Sequence, residues 1–216
     1  MKKKFSKTVA LIVAHPDDET LWAGGTILSH PAWKFFIVCL CRGSDAERTL
    51  RFHKALKSLH SEGIIGDLND DSDQKPLDDA EVEQTILRLL PPKPFDLLIT
   101  HNPGGEYTKH LRHEEISKAV ISLWSTGKVT AEELWTFAYE DGNKGYLPRP
   151  VKNAHYYQAI STSAWLQKYK IITEIYGFKK DSWESETTPK SEAFWQLTNP
   201  ENAINWIKKY ENISII

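Results

Sequence analysis

Apolar and polar positions alternate along this chain in two rhythms, short unbroken apolar runs and longer stretches with apolar residues three and four apart. Val9–Ala14 is an unbroken run, the pattern of a strand covered on both faces. Glu19–Ser29 follows as a helix in which Gly24 and Gly25 permit close packing. Phe35–Cys41 reads as a second buried strand. Ser44-Asp-Ala-Glu47 forms a capping box opening a helix to about His60, with Leu50, Ala55, Leu56 and Leu59 as its apolar stripe. Ile64 and Ile65 begin a short strand, and Asp67–Gln74 is an Asp-rich loop. Asp78-Asp-Ala-Glu81 opens the next helix, which points Val82, Ile86, Leu87 and Leu90 inward and stops at Pro91-Pro92. Phe95–Thr100 is a further strand, and His101–Lys109 is a loop with turn signals at Asn102-Pro103-Gly104-Gly105. His113–Ser125 is helical, and Leu134–Tyr139 is a strand.

Strands alternating with helices over residues 8–140 predict an α/β protein whose mostly parallel sheet is covered on both faces. Beyond Tyr139 the rhythm changes. His155–Ile160 reads as a strand and Ala164–Tyr176 as a helix ended by Gly177. Pro200, at a first helical position behind Asn199 as cap, opens a last helix to about Tyr210. The simplest organisation is one domain over 1–216, with a core at about 8–140 and a helical C-terminal extension at about 141–216.

Composition narrows the classes. The chain has 216 residues, 8 Trp, 8 Tyr and 8 Phe, too much apolar surface for a disordered chain. A net charge of −2 carries no electrostatic footprint for nucleic acid or an anionic membrane. No apolar run approaches the ~18 residues of a membrane span, and the stretch after the basic start is too short for a signal peptide, so the expected compartment is the cytoplasm. Cys39 and Cys41, two apart on a strand, are expected on one face as small buried residues in a reducing environment.

Two segments carry candidate chemistry, and both leave the ends of predicted strands, where open α/β sheets bind ligands. The first is His15-Pro16-Asp17-Asp18-Glu19. An imidazole and a carboxylate suit a divalent ion. His15 and Asp18 could face one ion across the strand-to-helix bend while Asp17 stays free as a base. Acids also suit a helix's first turn without any ion, but three acids beside a His directly after a buried strand need a partner. The second segment runs from His101 to His113. His110 and His113, three apart at a helix start, share a face. One could complete a three-ligand site with His15 and Asp18, leaving the other beside the metal and a coordination position open to water.

These residues resemble a known family. Ala14-His15-Pro16-Asp17-Asp18-Glu19, followed by Thr100-His101-Asn102-Pro103-Gly104-Gly105-Glu106-Tyr107 and His110-x-x-His113, is similar to the two motifs of the PIG-L/LmbE-like zinc-dependent N-acetylglucosamine deacetylases. The resemblance implies a Rossmann-like three-layer sandwich and hydrolysis of an N-acyl group, usually acetyl, from an amino sugar or glycoconjugate. It implies zinc held by His15, Asp18 and His113, with Asp17 as general base and His110 stabilising the oxyanion and protonating the amine. Arg51 and Asp70 are the nearest matches to the family's sugar-binding residues. The chain departs from the pattern at Arg112, which stands where relatives carry an acid beside the catalytic histidine. A cation there is expected to disfavour the protonated form of His110. The same donors suit ferrous iron, so a non-haem iron oxygenase using His15, Asp17 and His113 is a second reading, disfavoured by the α/β pattern. A metal- or sugar-binding protein without turnover is a third. A dinucleotide-binding enzyme is disfavoured because no G-x-G-x-x-G follows the first strand.

Overall fold

The computed structural model describes residues 6–211. Its first half alternates as the apolar runs predict: β1 (Thr8–Val13), α1 (Asp18–Ser29), β2 (Lys34–Cys41), α2 (Ala46–Ser58), β3 (Glu62–Leu68), α3 (Asp79–Leu89), β4 (Phe95–Thr100), α4 (Leu111–Ser125) and β5 (Ala131–Phe137). The second half holds the two-residue pair β6 (Tyr139–Glu140) and β7 (Arg149–Pro150), then β8 (Tyr156–Ala159), α5 (Thr162–Lys170), a π turn (Ile171–Ile175), α6 (Trp183–Thr187), β9 (Ser191–Leu197) and α7 (Pro200–Glu211).

One seven-stranded sheet runs in the order β3-β2-β1-β4-β5-β9-β8. The first five strands are parallel, and β9 and β8 close the far edge antiparallel. Period-two alternation sorts β1 between two cores: Val9, Leu11 and Val13 pack with Trp22 of α1 and Phe52 of α2, while Ala10 and Ile12 pack with Ile86 of α3 and Ile116 of α4. Helices therefore cover both faces, giving the expected three layers. The strand order reverses between β1 and β4. Their carboxyl ends thus flank the crevice where such sheets bind ligands.

Several details differ from the sequence reading. Asp45, not Ser44, caps α2, accepting from Glu47 N and Arg48 N at 3.0 Å each, while Ser44 N donates to Asp67. A register shift in β2 between Cys39 and Cys41 sends the two thiols to opposite cores. Both are free and buried. The extension is not purely helical, because β8 and β9 add to the sheet; β8 follows the expected strand, whereas β9 has no counterpart in the pattern. Its apolar alternation is interrupted by Glu192, a fully buried carboxylate. That group accepts from Gly25 N (2.7 Å), Thr26 N (2.6 Å), Thr26 Oγ1 (2.7 Å) and Lys168 Nζ (2.6 Å). Gly25 lets Glu192 and Ile160 approach α1, since a Cβ there would collide with Ile160. The α5 helix starts at Thr162 behind a Ser161 cap and ends in the π turn. Asn199 Oδ1 accepts from Glu201 N as the cap of α7. No helix among the described residues is long and apolar enough to cross a membrane.

Candidate metal centre

The turn after β1 brings two donors, His15 and Asp18, together with a third, His113, from the start of α4. His15 Nδ1 lies 3.3 Å from Asp18 Oδ2 and 3.3 Å from His113 Nε2, and His113 Nε2 lies 3.4 Å from Asp18 Oδ2. A tetrahedral ion with bonds of about 2.0–2.1 Å separates its ligands by about 3.3–3.4 Å. The three donor atoms thus match one face of a zinc-like coordination tetrahedron. The ligand-capable side chains extend to two overlapping groups, His15–His110–His113 and Asp18–His101–His113. His101 is buried and its Nε2 is 3.5 Å from Asp18, but that nitrogen accepts from Ala14 N at 3.0 Å. Its lone pair is already used.

Hydrogen-bond partners orient Asp18 and His113, as metal ligands require, and His15 faces a carboxylate. His113 Nδ1 meets Glu106 Oε2 at 2.7 Å, and His15 Nε2 faces Asp70 Oδ2 at 3.3 Å. Asp18 accepts from Trp22 Nε1 (3.0 Å) and from His15 N (2.8 Å). Glu106 is fully buried, also meets His101 Nδ1 at 2.9 Å and accepts from Asn102 N. Burial opposes its ionisation, but the two imidazoles it meets, His101 and His113, draw its carboxyl down to about 2. Burial likewise opposes ionisation of Asp18, but its three histidine neighbours hold it well below the usual carboxylate range.

Asp17 and His110 flank the trio. Asp17 is held at φ 130°, outside the comfortable range of a residue with a Cβ. Its N–H donates to Glu19 Oε2 at 3.1 Å, and Glu19 accepts in turn from Thr20 Oγ1 (2.5 Å) and Tyr176 Oη (2.7 Å). The strained turn is therefore braced from the C-terminal part of the chain. Burial and then the Asp18 charge push the Asp17 carboxyl well above its usual range. The His110 ring stacks on His113 with centroids 4.5 Å apart and meets His15 edge-on at 4.6 Å. Burial, with His113 and His15 adding to it, lowers His110 to about 3, so its ring is neutral at pH 7.

A pocket of about 150 Å³ opens over these groups, lined by His15, Asp17, Asp18, His110, Tyr107 and Trp183 among others. Asp70 lies on its wall, where it faces His15 and pairs with Arg42 at 2.8 Å. Arg51 does not line it. Arg51 pairs with Glu47 and packs against Gly177 in a neighbouring cleft. The guanidinium one helical turn earlier, Arg48, reaches the pocket and lies 3.5 Å from Asp17 Oδ2. The expected effect of Arg112 on His110 also fails, because Arg112 is turned away. It donates to Asn69 O (2.6 Å), Lys75 O (2.8 Å) and Glu115 (2.5 Å), pinning the loop that carries Asp70. The sequence reading assigned no role to Glu106, Trp22, Arg48 or Tyr176. Only Glu106 left a trace there, as an acid in a loop crowded with histidines.

A crevice between β1 and β4 with two imidazoles and a carboxylate in tetrahedral spacing defines the class: an α/β protein with a candidate divalent-metal hydrolase centre. Comparison with known proteins carries this further. The family described as PIG-L, GlcNAc-PI de-N-acetylase, matches over residues 10–124, and the chain belongs to it. An uncharacterized protein of Acanthamoeba polyphaga mimivirus is 26% identical over 166 residues, spanning 69% of this chain and 70% of its own. Among solved structures, N,N'-diacetylchitobiose deacetylase from Pyrococcus horikoshii superposes with a TM-score of 0.68 at 18% identity, covering 89% of this chain and 84% of that one. The 4-carboxy-2-hydroxymuconate hydratase from Pseudomonas putida superposes at 0.61 and 17% identity, covering 88% and 96%. These likenesses show the fold, which hosts both deacetylation and hydration.

Proposed function

We propose that the chain is a metal-dependent N-deacetylase, acting on an N-acetylated amino sugar or glycoconjugate, with zinc held by His15, Asp18 and His113. The observation that carries this reading is the 3.3–3.4 Å triangle of donor atoms with Asp17 and His110 on its rim. The donors are two neutral imidazoles and one carboxylate, so a divalent ion would keep net positive charge; it would supply Lewis acidity and acidify a water.

The chain's own residues do the rest. Asp17 takes the proton of the attacking water, whose oxygen adds to the acyl carbon. His110 donates its N–H to the oxygen on which charge develops. The C–N bond breaks, and Asp17 delivers the proton it took from the water to the departing nitrogen, releasing acetate and a free amine. Glu106 holds His113 in the ring orientation that presents Nε2, and Asp70 faces Nε2 of His15. Arg48, rather than Arg51, is the guanidinium that reaches a bound sugar. The turn of Arg112 away from His110 weakens the reading without turnover, which rested on that residue.

The test is acetate release from a panel of N-acetylated amino sugars by the metal-loaded protein. Release that stops with a chelator and returns with zinc supports the reading. Release that persists after complete metal removal, or a loaded protein inert towards the whole panel, overturns it.

A further inference from the structure

The pocket over the candidate metal centre has two unlike flanks. One is charged: Arg48 lies 3.5 Å from Asp17 Oδ2, and Arg42 pairs with Asp70, which faces His15. The other is apolar and borders Asp18, His110 and His113. Leu21 and Trp22 of α1 are buried on that flank, and Trp22 Nε1 donates to Asp18. The Tyr107 ring lies 5.5 Å from that of His113 and 6.1 Å from that of His110. Trp183 of α6 completes the group. Its ring stands at 68° to Tyr107 and 72° to Trp22, with centroids 4.9 and 6.4 Å away.

The pocket of about 150 Å³ is half the size of a small ligand site, about 300 Å³, so it admits a reacting amide and little more. An amide carbon carries an oxygen, a nitrogen and the acyl chain. The nitrogen takes its proton from Asp17, and the oxygen takes an N–H from His110. The nitrogen and its polar substituent therefore lie on the charged flank, beside Asp17 and Arg48. The acyl chain is the apolar substituent, and the apolar flank is left for it. Trp22 is fully buried and has no room to swing aside, whereas Trp183 is 37% exposed while lining the pocket. One side of its indole thus faces the pocket and another faces solvent, which makes it the partition that ends this flank. The short α6 helix is anchored behind it by Ser185, whose Oγ donates to Lys179 O at 2.7 Å.

We propose that Trp183 is a specificity-determining residue: its indole closes the apolar flank behind an acetyl methyl and shuts out longer acyl chains. This role rests on the deacetylase reading of the metal centre, so acyl size is read both by binding and by turnover.

A hydroxamate chelates zinc and carries an acyl chain with no sugar attached. Calorimetric titration of the zinc-loaded protein with acetohydroxamate and hexanohydroxamate therefore tests the partition without any reaction. One surplus methylene in a filled apolar pocket costs about 10- to 200-fold, so the shorter ligand is expected to bind at least about tenfold more tightly. Trp183→Ala should bring the two affinities within about threefold or reverse their order, because the freed chain gains apolar contact. Trp183→Phe, a smaller ring, should fall between, and it keeps the test intact if the Ala variant does not fold. Binding of neither hydroxamate, equal affinities in the parent protein, or a preference that survives in every folded Trp183 variant overturns the role.

Turnover of N-acetyl- and N-butanoylglucosamine by the same samples separates the two claims. The acetyl preference in kcat/KM is expected to shrink about tenfold or more in Trp183→Ala. A hydroxamate preference that collapses in Trp183→Ala without turnover of any amide refutes the reaction and keeps the partition. Acetate release with a chain-length preference indifferent to Trp183 refutes the partition and keeps the reaction.

Discussion

Residues 8–140 and residues 141–211 divide the labour of this molecule unevenly. The first stretch supplies five parallel strands and every donor of the candidate metal centre. The second supplies the antiparallel edge and the props. Glu192 on β9 fastens α1 through two backbone N–H groups and Lys168, and Tyr176 holds Glu19, which holds Asp17. Tyr139 Oη donates to Trp22 O from the boundary between the two. Chemistry sits where strands end beside the reversal of strand order. The later chain adds buried polar contacts that stiffen the helix leading out of that turn.

If that division is right, substitutions in the two stretches fail in different ways. The largest effect on turnover is expected from Asp17→Asn, which removes the base and leaves the donor trio intact: zinc content unchanged, kcat down roughly 100- to 10,000-fold on the usual scale of acid–base catalysis. Near-normal acetate release by that variant would remove Asp17 from the role. Lys168→Met should do the opposite. It leaves a buried carboxylate without its ammonium, at a cost of about 3–5 kcal/mol of stability in chemical denaturation, while the folded fraction still binds metal. Metal affinity lost in proportion with no change in stability would show that the C-terminal stretch belongs to the site itself.

Glu106→Gln sharpens the boundary within the first stretch. It touches no substrate, yet a change in the partner of a ligating histidine lowers metal affinity about 10- to 100-fold; competition with a chromophoric chelator reads this directly, and an unchanged affinity would reduce Glu106 to packing. The smallest effect belongs to Asp96, at the opposite end of the strands. Thr8 N (2.5 Å) and Oγ1 (2.8 Å) donate to it and hold its carboxyl below the usual range. A carboxyl lowered by folding adds stability above its unfolded pKa of about 4 and loses it as pH falls through the folded value. Asp96→Asn should therefore flatten the acid side of the stability curve while activity stays as in the parent protein.

The legible parts of the fold were those dictated by local rhythm. Buried parallel strands such as β1 and β2 show as unbroken apolar runs, and α3 and α7 announce themselves through Asp78 and through Asn199 with Pro200. The features missed depend on partners far away in sequence. β9 carries Glu192 inward because Gly25, Thr26 and Lys168 wait for it, and the Cys39/Cys41 shift follows pairing with β3. The site divides likewise. His15 and Asp18 stand in a short motif at a strand end, while spacing leaves His110 and His113 as alternatives for the third donor and only the family resemblance points to His113. Arg48 and Arg51 lie three apart on one helix, and only the packing of α2 decides which reaches the pocket. Asp70, expected against sugar, faces His15 because Arg112 and Gln74 fix its loop.

X-ray absorption at the zinc edge of the purified, metal-loaded protein tests the central claim most directly. The account predicts one zinc per chain with two imidazole nitrogens and one or two oxygens at about 2.0–2.1 Å, and loss of one imidazole shell, or of the metal, in His113→Ala. A spectrum unchanged by His113→Ala, or one showing sulfur at about 2.3 Å, would contradict it.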